Sequence, residues 1–353
     1  MKMRKIVCSF MISVVCFMTA ISGVSATSYD TSKINAAYSK VVEYYKNNNN
    51  LNNADKILAV ESLGLEAESN QFDTSSADLS STSLSKKIVT EVLLGVDPTE
   101  DKKTLESQID ENGNVEGSWG ASSDVWTLYA LYVTSSEKTN LIANKLNDEL
   151  AASSVCGYEW GGTYYADYDT TGWVIEGLAV VNKEKYATTI NKAIDYIKNN
   201  TTMTTTGWVT ADNVDTQSQV LEGMFAYDTN ALLNDSYTVH PVDCLLNTQL
   251  SDGSFPSGYN AEYTTAEVAK TLGTYKNGSV IIKAKKAYDK MMNPEQPDNT
   301  KPAQPTDTKK DSQSTNKVET TNQKTTSVKT GDETNVVIFV SLSMVSGGLF
   351  LVL

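Results

Sequence analysis

Apolar positions fall into three regimes along the chain. A first apolar run extends from Ile6 to about Val24, behind Lys2, Arg4 and Lys5, and ends in Val24-Ser25-Ala26. The last 18 residues, from Val336, are a second apolar run. Between the two, apolar residues recur every three or four positions, which is the helical period. That spacing predicts helices over residues 33–46, 54–65, 79–94 and 101–109, and again over 141–152, 184–199, 237–250 and 280–292. Four more helices are predicted to open at Asp124, Asp169, Asp215 and Thr264, whose side chains would accept from the first unpaired amides. The total is about twelve helices, or six hairpins. No strand-like alternation of any length competes with them.

The later hairpins repeat. Each starts with a turn that joins glycine to an aromatic residue: Gly117-Ser118-Trp119-Gly120, Trp160-Gly161-Gly162, Gly207-Trp208 and Gly253-Ser254-Phe255. The helix bodies repeat as well, with Val174-Ile175-Glu176-Gly177-Leu178 against Val220-Leu221-Glu222-Gly223-Met224. A helix pair with one apolar face cannot bury it alone, and six such pairs can close into a ring. Gln249-Leu250-Ser251-Asp252-Gly253-Ser254-Phe255 resembles the Gln-x-x-Asp-Gly-Ser-Trp/Phe repeat of terpenoid cyclases and protein prenyltransferases. The resemblance covers residues 108–292 clearly and 31–108 loosely. It implies an all-α fold, an α/α toroid of about six helical hairpins whose inner helices surround a central cavity. It implies little about chemistry, because such toroids also serve as cobalamin carriers, thioester domains and glycan-active enzymes.

The two ends read as addresses. Residues 1–26 have the layout of a secretory signal peptide, with cleavage expected after Ala26. Ser327-Val328-Lys329-Thr330-Gly331-Asp332-Glu333 resembles the sorting signal of Gram-positive surface proteins, in which a Thr-Gly bond precedes an apolar segment. Thr330 and Gly331 match it. Ser327 and Val328 stand where that signal has Leu and Pro, and no basic tail comes after the apolar run. The resemblance implies attachment to the cell envelope through the C-terminus, and the terminal run is just long enough to span a bilayer as a helix. Residues 294–328 hold four of the seven prolines and no aromatic residue. Such a segment cannot bury enough apolar surface to offset its ordering entropy, and it reads as a disordered linker. The expected organisation is therefore a signal peptide (1–26), a toroid (27–293), a linker (294–328) and a sorting and membrane segment (329–353).

Composition narrows the partners. The formal charge is −14, and the part between signal peptide and linker carries 36 acids against 20 lysines. Arg4 is the only arginine and His240 the only histidine. This argues against nucleic acid, which needs basic clusters, and against phosphate-rich ligands, which favour bidentate arginine. Mean hydropathy is −0.31, which excludes a polytopic membrane protein. Cys156 and Cys244 remain after export and allow either a disulfide or two buried thiols.

The sharpest local motif is Asp167-Tyr168-Asp169-Thr170-Thr171. It resembles the Asp-x-Asp-Asp-Thr-Ala motif of class II terpene cyclases, whose middle aspartate protonates an alkene. Asp167, Asp169 and Thr171 match, while Thr170 and Gly172 depart. The resemblance makes Asp169 and Asp167 the catalytic candidates. The competing reading makes Asp169 a helix cap and Asp167 a loop residue, since Asp124 and Asp215 share the repeat position. His240, Asp243 and Cys244 have metal-ligand spacing, but Pro241 marks a helix start with His240 just before it, so no metal is expected. No cofactor is implied. Aromatic residues crowd the repeat turns: Trp119, Tyr158, Trp160, Tyr164, Tyr165, Tyr168, Trp208 and Tyr263, with Glu159 and Asp215 beside them. Ringed faces next to acids suit a glycan, a corrinoid or a peptide, whereas the turn tryptophans and Phe255 also suit packing between hairpins. Trp126 and Trp173 are expected in the core. The leading expectation is an extracellular binding module. Its rivals are an enzyme that uses an aspartate as general acid and a structural adhesin.

Overall fold

A computed structural model describes residues 29–68, 80–200, 213–237 and 239–294, with backbone alone at Tyr158, Glu159 and Trp160. The expected signal peptide, Trp208, the linker beyond residue 294, Thr330, Gly331 and the terminal apolar run lie outside the described residues. The chain divides into Met1–Pro297 and Asp298–Leu353, and every described residue belongs to the first unit.

Among the described residues there are eleven helices and one β-hairpin. The helices are α1 (Thr31–Asn47), α2 (Ala54–Ser62), α3 (Ser81–Leu93), α4 (Thr99–Ser107), α5 (Ala121–Val133), α6 (Thr139–Ser153), α7 (Tyr168–Asn200), α8 (Val214–Asn234), α9 (Pro241–Leu246), α10 (Ala261–Asn277) and α11 (Val280–Met292). The all-α reading holds. The hairpin, β1 (Gly157–Trp160) and β2 (Thr163–Ala166), is the departure from it. Its two-residue turn needs positive φ at both positions, and Gly161 (59°) and Gly162 (77°) supply it.

Burial separates two kinds of helix. α6 buries Ile142, Ala143, Leu146 and Leu150, a stripe at helical spacing, and leaves its other face wet. α5, the first half of α8, and α10 are buried nearly all round; α10 buries every residue from Thr264 to Thr274. Helices buried on all faces lie inside. Contacts run α2–α3–α5–α7–α8–α10 and return from α10 to α2. α11 touches α2, α3, α5 and α10. Its start is fastened by Ser279 Oγ donating to Glu176 Oε1 at 2.6 Å, and its body by Lys283 Nζ against Glu61 Oε2 at 2.7 Å.

The chain passes from inner to outer helix in the same way in two repeats. α7 breaks at Asn182 (φ −165°) and α8 at Asp228 (φ −157°). At each break one extended residue turns the chain and caps the outer helical segment: Asn182 Oδ1 accepts from Lys185 N, and Asp228 Oδ1 from Ala231 N, both at 2.9 Å.

Helix starts differ from expectation. The residue before α5 is Gly120, before α8 Asn213 and before α10 Asn260; the two asparagines cap with their side chains. Asp124, Asp215 and Thr264 stand inside the first turns. The helix expected over 237–250 is only α9, because Pro241 fixes its start, with His240 Nδ1 accepting from Val242 N at 3.2 Å. Cys156 and Cys244 are buried thiols that are not joined in a disulfide.

α7 and α8 meet at backbone distance through Gly172 and Gly223. A Cβ on Gly172 would lie 2.4 Å from the Gln219 carbonyl oxygen, and one on Gly223 would lie 2.2 Å from the Gly172 carbonyl oxygen. Neither neighbour is a flexible side chain. Gly172→Ala and Gly223→Ala are each expected to destabilise the fold by about 1–3 kcal/mol, read from the urea midpoint. Gly258→Ala meets open space and should leave the midpoint within error. Equal midpoints for all three would refute the close crossing.

Candidate functional site

The inner helices begin at one end. Lys56 in the first turn of α2 pairs with Glu262 in the first turn of α10 at 2.9 Å. Asp55 of α2 pairs with Lys86 of α3 at 2.8 Å. Asp169 of α7 lies beside Thr216 of α8, and Asp215 of α8 lies beside Thr264 of α10. The opening turns of each helix meet the opening turns of its neighbour, so these helices run parallel. Hydroxyls in the same turns fasten the incoming chain: Ser123 Oγ accepts from Trp119 N, Thr171 Oγ1 from Cys156 N and Thr265 Oγ1 from Phe255 N, at 2.9–3.1 Å.

The two candidate catalytic acids exchange the roles expected under the capping reading. Asp167 caps α7: its Oδ1 accepts from Thr170 N at 3.1 Å and its Oδ2 from Thr170 Oγ1 at 2.7 Å. Asp169 lies inside the first turn and is half-buried. Burial pushes its carboxyl up to about 7, the negative charges of Asp167, Asp215 and Glu267 add to the push, and Thr216 opposes it. Asp215 holds the same place on α8, is raised by burial, and keeps its Oδ1 without a partner. Asp124 does not belong with them. It is fully buried, accepts from Ser118 Oγ at 2.6 Å and pairs with Lys145 of α6 at 2.9 Å, so it fastens one hairpin and faces no ligand.

The aromatic candidates separate. Trp119, just before α5, is 89% exposed, which removes it from the packing reading; Phe255, at the matching turn, is fully buried. Tyr164 and Tyr165 in β2 are exposed, though the Tyr164 hydroxyl donates back to Val155 O at 2.9 Å. Tyr168 packs against the core. The Tyr263 hydroxyl accepts from Gln219 Nε2 at 3.3 Å. Trp126 is buried and meets the partly buried Trp173 edge-on at 5.9 Å, as expected of core residues. The side chains of Tyr158, Glu159 and Trp160 lie outside the described residues.

Three features escaped the sequence reading. Tyr259, beside the cap of α10, is 83% exposed and joins the aromatic rim. A cleft of about 290 Å³ opens between the loop from Asn47 to Asn50 and the start of α10. Deeper in, two buried glutamates flank Lys270, whose Nζ lies 3.0 Å from Glu267 Oε1 and 3.9 Å from Glu222 Oε2. The asparagine run was a visible signal for the cleft. Nothing in the residue pattern marked Lys270 as central.

Among the described residues no group of His, Cys, Asp and Glu is arranged to hold a metal ion, and no helix is long and apolar enough to cross a membrane. No family model, curated protein or solved structure matches the chain.

The Asp169 carboxyl gives the stability a sign. Its ordinary value is 3.8, against about 7 in the folded chain. Between those values the folded chain holds a proton that the unfolded chain releases. The stabilisation is therefore full below about pH 4 and is lost as pH rises towards 7. Glu91, pushed up to about 8 chiefly by burial, contributes in the same direction, so the test is a difference. From pH 4 to pH 8, the melting temperature of Asp169→Asn should fall less than that of the natural chain. Parallel melting curves would refute the raised carboxyl.

Proposed function

We propose that the chain is an exported, envelope-attached α/α toroid of about six helical hairpins that binds an extracellular ligand where the inner helices begin. The returning contact series α2–α3–α5–α7–α8–α10 supports the toroid. Residues 1–26 are read as its export signal, 294–328 as a stalk, and 329–353, with the Thr330-Gly331 bond, as its anchor. The ligand is a glycan, a corrinoid or a peptide.

One observation carries the binding reading. Large aromatic side chains stand in water at the starts of α5, α7 and α10: Trp119, Tyr164 and Tyr165, and Tyr259. The ring surface they leave in water gains nothing from folding, and aromatic faces with a polar edge are what sugar rings, corrins and peptides stack on. The interior beyond them holds buried polar side chains, among them Gln219, Glu222, Glu267 and Lys270.

A second reading has its own support. A carboxyl poised near 7, beside a second carboxyl that burial also raises, suits general acid catalysis. Asp169 would then donate the proton, and Asp167 would only position the helix start that carries it.

Among the tryptophans whose side chains are described only Trp119 is exposed, and a ligand at the rim would change its emission. Titration of the chain with neutral glycans, corrinoids and peptidoglycan peptides is expected to change the emission with one ligand class. Trp119→Ala should abolish that change and weaken binding by about tenfold, or ~1.4 kcal/mol. Turnover of any of these compounds that Asp169→Asn abolishes, with folding intact at pH 5, would replace the binding reading with the enzyme reading.

A further inference from the structure

The cleft beside α10 has a chemistry of its own. Its floor is Tyr44, half-buried, with Tyr45 edge-on behind it at 5.3 Å. Its wall is the run from Asn47 to Asn50. Asn47 and Asn48 spend their amide hydrogens on Glu43 and the Tyr44 carbonyl, and each keeps its oxygen. Asn49 and Asn50 line the cleft with no hydrogen bond on either side chain, so both offer a donor and an acceptor. The far wall is the Lys56–Glu262 ion pair, and a smaller cavity of about 80 Å³ behind that pair reaches Asp55 and Tyr263.

Charge decides what fits. The starts of α2 and α10 both open here, and helix starts attract anions. Asp55 and Glu262 in those first turns already supply negative charge. Lys86 and Lys56 in turn neutralise them at 2.8 and 2.9 Å. An anion would meet Glu262, and a cation would meet Lys56. Neutral groups that both donate and accept hydrogen bonds match the remaining asparagine amides. An aromatic floor matches the C–H face of a pyranose.

We propose that the cleft between the loop from Asn47 to Asn50 and the start of α10 binds a neutral sugar unit, stacked on Tyr44 and hydrogen-bonded by Asn49, Asn50 and the Lys56–Glu262 pair. This assignment rests on the binding reading above and gives it a ligand class and a subsite.

The test uses the intact chain in calorimetric titrations with trimers of glucose and of N-acetylglucosamine, and with a sialylated trisaccharide as the anionic control. A neutral trimer is expected to bind. The double variant Asn49→Ala/Asn50→Ala should weaken it by about tenfold at an unchanged melting temperature, because those side chains hold nothing in the fold. Undiminished binding by the double variant overturns the assignment, as does binding of the sialylated control alone. If no neutral trimer binds while Trp119 emission still responds to a corrinoid or a peptide, the sugar assignment fails and the binding reading stands. If neither heat nor emission responds to any ligand, both fail.

Discussion

One ammonium group holds the middle of the molecule. Lys270 is 3% exposed, lies over the Trp126 ring at 5.5 Å, and faces Glu267 and Glu222. Burial works against its charge, but Glu267, Glu222 and Asp55 outweigh it and hold the amine above the ordinary lysine value. Glu176 completes the set; its Oε2 accepts from the Tyr129 hydroxyl at 3.0 Å and its Oε1 from Ser279. The cluster therefore draws on α5, α7, α8, α10 and the start of α11. One lysine cannot neutralise three carboxylates, and burial pushes both Glu176 and Glu222 towards the protonated form. Breaking such a buried pair from one side costs about 3–5 kcal/mol, because it strands the remaining charge.

The centre is filled by Gln219, Glu222, Glu267 and Lys270 from the inner helices, with Trp126 against them. α11 crosses to α3 and α5 and is bonded to Glu176 and Glu61. The first turns remain accessible, and the exposed aromatics and the cleft are found there. A terpenoid-cyclase resemblance implies a wide apolar interior. The interior here carries buried ionic and amide groups instead: Lys270 is paired with Glu267 and Glu222, and Gln219 Nε2 donates to Glu267 Oε2 at 3.2 Å, while Gln219 Oε1 and Glu222 Oε2 accept no hydrogen bond.

The residue pattern revealed helices more readily than their junctions. The stripe over 280–292 matches α11, whose bounds are Val280–Met292, because a one-sided outer helix writes its period directly into the sequence. Inner helices write a weaker period, since Thr, Ser, Gln and Glu are buried among their apolar residues. Acids near a helix start resemble caps whether they cap or not. Asp167 caps, Asp169 does not, and Asp124 is an ion-pair partner deep in its hairpin. The β-hairpin escaped notice because four-residue strands carry too little alternation, and its one clear mark, Gly161-Gly162, was absorbed into the repeat turn. The cleft stayed hidden because a run of asparagines reads as a loop until a tertiary neighbour, the start of α10, closes its other side.

The acidity of the chain can be sorted by what each carboxylate already does. Asp167 spends its oxygens on Thr170, Asp124 on Lys145 and Ser118, Asp55 on Lys86 and Glu262 on Lys56. Helix starts favour such acids in any case. Asp169 and Asp215 are the exceptions at this end, because no described lysine is paired with either and neighbouring acids add to their burial. A group kept near neutrality by its surroundings donates a hydrogen bond that an ordinary carboxylate cannot. The first turns thus present two unlike surfaces: charge-compensated amides and rings around α2 and α10, and carboxyls that burial raises on α7 and α8. A ligand that spans both would need hydroxyls at one end and acceptors at the other, a pattern that a glycan meets along its length without carrying any charge of its own.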